Sequence, residues 1–429
     1  MNSKSKPYYD TAIIGGGPAG ITACLELSKS SELKTAVFEY EDELGGIPRS
    51  AHVFFGMRDQ KRFYTGAAYA RRLNKLVRRT AAEIHTKSTV IDIIPGNDGE
   101  RHQIHVASPE GMKVYESRFL LLATGCYESS RGKRLIPGAR PAGIFTTGAL
   151  QKMVNLQRLS PGKRAVIIGT ESVAFSSALT LKHANISIVG MVEEFGAIQT
   201  YRLPAMSLRS WMGFPIFRNT AVKAILGYKR VEGIELENKT TGKIFTLDCD
   251  TIVITGQFRP DSALIFNHPL LEDSITSGPI VDLNYETPIR NIFAAGNILR
   301  GASMHDLCAL EGRLAARSII ERTDAKHDRP KQVVPLKPES PFRFVVPQMI
   351  DIQQAKIHRS SWFRPGVSIQ LTRTIKQPIL EACSGDEKVW QRSFSKLIGN
   401  TSISLPIEKF DWTRVNAKKG ITIKCRASC

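Results

Sequence analysis

A glycine-rich turn near the start of the sequence has the spacing of a phosphate-binding loop. The turn follows a short apolar run at 11–14 and precedes helical spacing over 21–27. In a GxGxxG turn the first glycine permits the tight bend, the second lets a pyrophosphate approach the backbone, and the third lets the helix pack on the strand. The helix N-terminus then faces the phosphates. The residues of this predicted dinucleotide site are Gly15, Gly17, Pro18, Ala19 and Gly20.

An acidic residue follows at the position that such a site needs. Glu39 ends the next apolar run, at 35–38, and lies 24 residues after Gly15. A carboxylate at this point accepts hydrogen bonds from ribose hydroxyl groups. The strand, turn, helix and second strand make a βαβ unit, so we favour a nucleotide site over a chance glycine turn.

The remaining pattern predicts an α/β protein with two Rossmann-like dinucleotide-binding domains and a small β-rich C-terminal extension. Buried strands are predicted at 119–122, 251–254 and 292–295, a basic helix at 61–79, and antiparallel strands over 216–248. A run rich in Thr, Asp, Lys, Pro and Ser predicts a linker at 323–340. The predicted domains are 8–145 with 286–322 for the first, 146–285 for the second, and 341–429 for the extension.

The composition is that of a folded, multidomain protein. The 429 residues are 42% hydrophobic and 23% charged, which excludes a disordered chain. A prior of ~150 residues per domain predicts two or three domains. The seven cysteines include no CxxC pair and no Cys/His pair at zinc spacing, so we expect no metal site.

The charge balance favours an acidic partner or an anionic surface. The net charge is +19, of which residues 331–429 contribute +10 from 17 basic and 7 acidic residues. Solvated surface charge is the simpler explanation. The basic stretches lack interleaved aromatic residues, so we expect no nucleic acid partner. Peripheral membrane contact stays open.

The sequence predicts a cytoplasmic location. Residues 1–9 are polar and lack the apolar segment of a signal peptide. No apolar run approaches the ~18 residues of a membrane helix. Dilute, unpaired cysteines suit a reducing compartment.

Three further motifs, in order, make the sequence resemble the flavoproteins with two dinucleotide-binding domains, the pyridine-nucleotide-oxidoreductase-like class. They are Ala123-Thr124-Gly125, Ile254-Thr255-Gly256 and the run 292–297 that ends in Gly296-Asn297, and Gly46 lies in a glycine pair after Glu39. The resemblance implies an FAD-dependent oxidoreductase. It places Gly15, Gly17, Gly20 and Glu39 at the adenosine diphosphate half of FAD, and Gly46, Gly296 and Asn297 at the flavin half.

Asn297 departs from the family pattern, which has aspartate at this position. Asn can still donate and accept hydrogen bonds, so we expect flavin binding to survive. The resemblance also places His305 near the flavin ring, where it is either a proton donor or, as we favour, a packing residue at a helix start. Cys126 has no partner at CxxC spacing and is interpreted as a buried thiol, which disfavours disulfide-reductase chemistry.

The second nucleotide loop is altered. A nicotinamide site would have glycine at position 171, but the loop that starts at Gly169 has Glu171. A side chain there blocks the approach of pyrophosphate, and its charge repels phosphate. Glu193 and Glu194 still follow the next strand, which indicates that the fold of the domain is kept. We therefore favour a domain that packs in the protein but has lost its nucleotide site over a domain that binds NAD(P). Because other flavoproteins tolerate variant loops, the second possibility stays open.

A closer resemblance is to the flavoprotein subunits of multi-subunit dehydrogenases. It is carried by 45–49, 55–59, 69–72 and 136–149. These families include opine oxidase, hydrogen cyanide synthase and the accessory flavoprotein of anaerobic glycerol-3-phosphate dehydrogenase. The resemblance implies a companion dehydrogenase subunit that oxidises a small amino or hydroxy compound. The alternatives are a stand-alone NAD(P)H-dependent flavin oxidoreductase and a non-catalytic flavoprotein scaffold.

The C-terminal cysteines do not predict an iron–sulfur cluster. Many of the resembling subunits carry four such cysteines, whereas this sequence has only Cys425 and Cys429 at its end, plus Cys383. Four thiolates are the usual requirement for a cluster. Neither the substrate nor any catalytic residue follows from the sequence.

Overall fold

The computed structural model describes residues 6–427 except 31–32, 52–53, 98–99, 201, 267, 269–270, 325–331, 359–365 and 400. Cys429 lies outside the described residues. Two parallel sheets form the centres of two α/β units, and a separate β-rich unit follows, so the predicted fold class is confirmed.

The first unit is built on a sheet of seven strands in the order β5-β2-β1-β8-β7-β6, with β19 also paired to β8. Buried apolar runs make its parallel centre, where both faces are covered. The elements are β1 Tyr8–Ile14, α1 Pro18–Leu27, β2 Thr35–Phe38, β3 Phe54–Phe55, β4 Tyr64–Thr65, α2 Gly66–Val77, β5 Glu83–His85, β6 Thr89–Ile94, β7 His102–Ser108 and β8 Gly111–Leu122. The chain returns to this unit with β19 Ile292–Ala294 and α6 His305–Asp324.

Strand β8 is longer than the predicted strand at 119–122. Its first part pairs antiparallel with β7 and joins it through a tight turn at Gly111. Only its last four residues are all buried, and the earlier part is largely solvent-exposed. Because only this end is a continuous buried run, the sequence pattern predicts the end of the strand and misses its earlier part.

The second unit has a parallel sheet of order β10-β17-β11-β12-β13 and an antiparallel sheet of order β14-β15-β16. The antiparallel strands confirm the prediction for 216–248 from residue 220 onward. The elements are β10 Ile144–Thr146, α3 Thr147–Gln151, β11 Arg164–Ile168, α4 Ser172–His183, β12 Ser187–Val192, α5 Arg202–Met212, β13 Ile216–Phe217, β14 Thr220–Leu226, β15 Gly233–Asn238, β16 Ile244–Asp248 and β17 Thr251–Ile254.

Two short strands connect the units. β9 Cys126–Glu128 leaves the first unit and β18 Phe258–Pro260 leaves the second, and the two pair antiparallel. This pairing joins the segments that leave the two parallel sheets.

The C-terminal extension has its own hydrophobic core. Its sheets have the orders β22-β20-β29-β25-β26 and β21-β23-β28, with β24 and β27 as a separate pair. The elements are β20 Val333–Pro338, β21 Phe342–Val346, β22 Met349–Asp351, α7 Ile352–Ile357, β23 Ser368–Leu371, β24 Ile375–Lys376, β25 Pro378–Ser384, β26 Glu387–Ser393, β27 Lys396–Leu397, β28 Ser402–Ser404 and β29 Ile421–Ala427.

The predicted linker at 323–340 is wrong for 333–338. This segment is β20, which pairs with β22 and β29 inside the extension. Its prolines suggested a connector, but Val334 and Leu336 alternate with more exposed residues and are buried in the extension's core. The extension therefore begins before the predicted residue 341.

The extension is attached to the first unit by both apolar and polar contacts. Phe344 and Val346 of β21 belong to the hydrophobic core of the first unit. The Gln348 backbone N–H donates to the Val281 carbonyl oxygen (3.1 Å), and the Val281 N–H donates to the Gln348 side-chain oxygen (3.1 Å). Val281 falls within the predicted second domain, but it belongs to the hydrophobic core of the first unit. The extension is thus packed on the unit that carries the first nucleotide motif.

We expect Phe344→Ala to lower the free energy of unfolding by about 3–5 kcal/mol, because it empties a buried position at this junction. Ile357→Ala is the matched control, because Ile357 is exposed. This variant should change the free energy of unfolding by about 0.5 kcal/mol or less. Urea unfolding measures both. Equal losses for the two variants would contradict the described packing.

Candidate functional site

The three glycines of the first motif have different surroundings. A Cβ atom on Gly15, which has φ +108°, would lie 2.4 Å from the Ala123 carbonyl oxygen. A Cβ atom on Gly20 would lie 1.9 Å from the Gly15 carbonyl oxygen. At Gly17 no heavy atom lies within 4 Å of the Cβ position. Packing therefore requires the first and third glycines, whereas the second faces open space, where a pyrophosphate would approach.

Helix α1 begins directly at this open space. Gly17 is its N-cap residue and Pro18 occupies the first helical turn, where its missing N–H costs nothing. Ala19 is buried against α6, because the Ala19 carbonyl oxygen would lie 2.0 Å from a Cβ on Gly312. Gly46, at φ +58°, approaches the same turn, with its Cβ position 3.0 Å from the Gly17 Cα.

Glu39 is a fixed, buried carboxylate at the end of β2. One oxygen accepts a hydrogen bond from the Gly16 N–H (2.7 Å) and the other from the Glu41 N–H (2.8 Å). Burial raises the pKa of Glu39, and these two hydrogen bonds oppose that shift. Each oxygen accepts one hydrogen bond and keeps a free acceptor position, which suits a ribose hydroxyl group.

The Ala123-Thr124-Gly125 segment connects the first turn to the crossover strands. The Thr124 hydroxyl donates to the Asp261 carbonyl oxygen (2.6 Å), and the Gly125 carbonyl oxygen accepts from the Asp261 N–H (3.0 Å). Gly125 has φ +85° and an open Cβ position. The segment therefore lies at the junction of the two units, next to Gly15.

Asn297 uses its side chain inside the protein. Its amide oxygen accepts hydrogen bonds from the Ser303 N–H (2.8 Å) and the Cys308 thiol (3.1 Å). These bonds fix the loop that leads into α6. A flavin contact of the Asn297 side chain stays a prediction, and the oxygen already has two partners.

A buried ion pair supports Gly296, and sequence reasoning missed it. Glu311 accepts a hydrogen bond from the Gly296 N–H (3.1 Å) and pairs with Arg300. Both side chains are almost completely buried. The only signal in the sequence was a charged residue among the apolar positions of the predicted helix 304–321.

His305 is the first residue of α6, and burial lowers its pKa to about 4. The imidazole is therefore neutral at pH 7, which favours the packing role over that of a protonated acid. Burial also raises the pKa of the Cys126 thiol to about 12. A protonated thiol is a poor nucleophile. Cys126 itself is half-buried rather than fully buried as expected.

The second loop places a carboxylate where a nucleotide phosphate would lie. Glu171 is the N-cap residue of α4, and its carboxylate accepts a hydrogen bond from the Thr255 hydroxyl (2.8 Å). Its oxygens lie 2.5 Å from a Cβ position on Gly169 and 2.1 Å from one on Gly256. The carboxylate thus fills the space between two glycine turns. Thr170 is hydrogen-bonded to Glu193, so the acid after β12 also has an internal partner.

The described residues fit FAD at the first site. The open position at Gly17, the helix N-terminus behind it and the free acceptor positions of Glu39 match the needs of a pyrophosphate and a ribose. Gly125 leaves open backbone at the junction of the two units, and Gly46 approaches Gly17 too closely for a side chain.

The comparisons with known proteins agree with this geometry. A model of the family described as pyridine nucleotide-disulphide oxidoreductase matches residues 9–319. The chain belongs to this family and is an FAD-dependent oxidoreductase.

Two curated relatives show the range of the family. Ferredoxin–NADP reductase 1 of Oceanobacillus iheyensis is 25% identical over 300 residues, which is 68% of this chain and 82% of the relative. Hydrogen cyanide synthase subunit HcnB of Pseudomonas aeruginosa is 28% identical over 225 residues, which is 52% of this chain and 46% of HcnB. The match thus spans less than half of HcnB.

Solved structures share the fold. Thioredoxin reductase of T. acidophilum superposes with a TM-score of 0.64 at 18% identity. The match covers 75% of this chain and 100% of the reductase. L-proline dehydrogenase of P. horikoshii gives 0.55 at 20% identity, covering 76% of this chain and 57% of that chain. At these identities the likeness concerns the fold alone.

Neither a membrane-spanning helix nor a metal-ligand group occurs among the described residues. None of the described helices is both long and apolar enough to cross a membrane. No group of three or more described His, Cys, Asp or Glu side chains is placed to hold a metal ion.

We expect Gly17→Val to abolish FAD binding without unfolding the chain, because its side chain enters the space left for pyrophosphate and meets no protein atom. Gly132→Val is the control, since Gly132 also has room for a side chain and is exposed. Flavin absorbance of the purified proteins reports the result. Normal flavin content in Gly17→Val would contradict this assignment of the site.

Proposed function

We propose that the chain is the FAD-binding subunit of a multi-subunit dehydrogenase or oxidase that acts on a small amino or hydroxy compound. When bound, FAD supplies the group that accepts and releases electrons. The observation that carries the proposal is the Glu171 carboxylate in the second nucleotide loop. It disfavours NAD(P)H as the electron source, so a companion subunit is needed. The similarity to HcnB, a subunit by its name, supports this choice.

The chain's own residues have binding and positioning roles in this proposal. Gly17 and Glu39 would hold the adenosine diphosphate half of FAD. Glu311 orients the Gly296 backbone, and Asn297 fixes the loop before α6. The N-terminus of α6 would offer a partial positive charge to a bound flavin.

A second candidate is a stand-alone NAD(P)H-dependent flavin oxidoreductase. The match to ferredoxin–NADP reductase 1 favours it, because the alignment spans most of that relative. This function requires nicotinamide nucleotide to displace or bypass the Glu171 carboxylate. The non-catalytic scaffold is the third possibility, and a flavin that no donor reduces is its signature. The cytoplasmic location remains a prediction.

We propose that the partner subunit docks on helix α2. The predicted basic surface of the extension is partly neutralised: Lys388 and Arg426 both pair with Glu381, and Lys424 pairs with Glu339. Salt bridges of this kind reduce the charge that a partner meets. The basic side chains of α2, by contrast, form no ion pair with a carboxylate in the described ranges.

The exposed basic face of α2 also lies near the first nucleotide site. Its members are Arg71, Arg72 and Lys75 of the helix, together with Arg78 and Arg79, which directly follow it. The helix packs on the short turn Ile47–Arg49, which directly follows Gly46. An acidic partner on this face would be close to the cofactor, and electrostatic steering would speed its association.

We expect NADH and NADPH to reduce the flavin more slowly than ~10 s⁻¹, a usual turnover scale, because the Glu171 carboxylate occupies the phosphate position. Anaerobic stopped-flow absorbance measures the rate. Glu171→Gly, which opens the loop, should increase it. A wild-type rate of ~10 s⁻¹ or more would support the stand-alone reductase instead.

We expect the triple variant Arg71→Glu, Lys75→Glu, Arg78→Glu to lose association with a co-expressed product of a neighbouring gene. The control carries the same charge change in the extension: Lys409→Glu, Lys418→Glu, Lys419→Glu. Wild-type association should weaken from 0.1 M to 1 M salt, as the Debye length falls from ~10 Å to ~3 Å. Pull-down at both salt concentrations is the measurement. Loss of association in the control variant alone would indicate that the partner docks on the extension and not on α2.

A further inference from the structure

The loop at residues 40–50, which we call the cofactor loop, forms one wall of the first nucleotide site. It begins directly after Glu39. The Gly45 N–H of this loop donates a hydrogen bond to the Gly16 carbonyl oxygen (2.8 Å), and Gly46 approaches the same glycine turn. The cofactor loop therefore runs from the carboxylate assigned to the ribose to the turn assigned to the pyrophosphate.

The second unit contacts the cofactor loop near its start. The Lys152 ammonium group forms an ion pair with the Glu41 carboxylate and lies 5.9 Å from the centre of the Tyr40 ring. The Glu41 carboxylate also accepts a hydrogen bond from Arg49 (3.0 Å), near the end of the loop. The Glu41 backbone N–H donates to the Glu39 carboxylate (2.8 Å). Lys152 thus holds the residue whose backbone positions the carboxylate for the ribose.

A second contact holds the end of the same loop. The Asn155 side-chain N–H donates a hydrogen bond to the Ser50 carbonyl oxygen (2.5 Å). Ser50 is buried although it belongs to a loop. Lys152 and Asn155 lie in one π-helical turn, Lys152–Leu156, which directly continues α3. Such turns are rare in proteins and occur frequently at functional sites.

Helix α3 is fixed within the second unit at both of its ends. At its start, Glu128 of the crossover strand β9 accepts hydrogen bonds from the backbone N–H groups of Thr147 (3.1 Å) and Gly148 (2.7 Å). At its end, the Gln151 side chain donates to a hydroxyl group of α4 (2.9 Å). The π-helical turn therefore separates from the cofactor loop only if its two contacts break.

We propose that the second unit retains FAD in the first site. In this role Lys152 and Asn155 hold the cofactor loop against the adenosine diphosphate half of FAD, and the cofactor leaves only after these two contacts break. The second unit then has a function that requires no nucleotide in its own loop. This role depends on FAD binding at the first site, but not on the source of electrons or on a companion subunit.

The two contacts differ in their response to salt. The ion pair of Lys152 with Glu41 is partly exposed, with 48% and 22% of the two side chains accessible to solvent. Dissolved ions therefore screen it. The hydrogen bond of Asn155 joins two uncharged groups and is not screened in this way. The salt dependence of FAD release thus reports on Lys152 separately from Asn155.

The test is the rate of FAD release from the loaded full chain, followed by flavin fluorescence after dilution. Lys152→Met should increase this rate about fivefold, which corresponds to about 1 kcal/mol. Lys152→Glu should increase it about tenfold or more, because the new carboxylate repels Glu41. Lys152→Arg keeps the charge and should stay within about twofold of the wild-type rate. Lys243→Glu, in an exposed turn of the same unit, is the matched control and should have no effect.

Salt and a second variant distinguish retention of FAD from a general loss of stability. Raising the salt concentration from about 0.1 M to about 1 M should speed FAD release from the wild-type protein and leave the Lys152→Met rate nearly unchanged. Asn155→Ala should speed release at both concentrations. Far-UV circular dichroism and the unfolding temperature of the flavin-free proteins should be the same for wild type and Lys152→Met.

If Lys152→Glu does not fold, Lys152→Met and Asn155→Ala carry the test. Equal rates of FAD release from wild type and Lys152→Met at low salt would overturn the proposal. An equal increase in the Lys243→Glu control would also overturn it, because the effect would then come from net charge and not from the contact with the cofactor loop.

Discussion

The close packing of α1 against β1 and α6 determines the first site. Side chains are excluded at two crossing points, Gly20 and Gly312, where a Cβ atom would lie 1.9 Å and 2.0 Å from backbone oxygens. This approach directs the N-terminus of α1 into the open space at Gly17. The Gly296 turn, which Glu311 of α6 supports, lies close to Ala19 of α1. The two parts of the first unit, separated in sequence by the whole second unit, therefore meet at the predicted cofactor site.

The second unit has the fold of a nucleotide-binding domain, but one of its own side chains occupies the nucleotide loop. The Glu171 carboxylate lies between two glycine turns and is bonded to Thr255, which is 84 residues away in the sequence. This arrangement disfavours a dinucleotide in the second unit and supports the proposal of an external electron source.

Local spacing was enough to predict the fold class, the residues of the first turn and the position of Glu39, because each depends on a few neighbouring residues. Glu171 was also found from its position in a recognisable loop. The ion pair of Arg300 with Glu311 was not, because it depends on a contact between separate segments. The linker error has a different cause: prolines suggested a connector, although alternating apolar residues in 333–338 form a strand.

The proposed electron source requires that the second unit does not accept a dinucleotide. Isothermal titration of the FAD-loaded protein with ADP-ribose tests it most directly, because this ligand carries the pyrophosphate and no redox group. We predict no binding below a Kd of about 1 mM, which corresponds to about −4 kcal/mol. A Kd in the micromolar range, about −8 kcal/mol, would show that the loop opens around Glu171 and would contradict the proposed electron source.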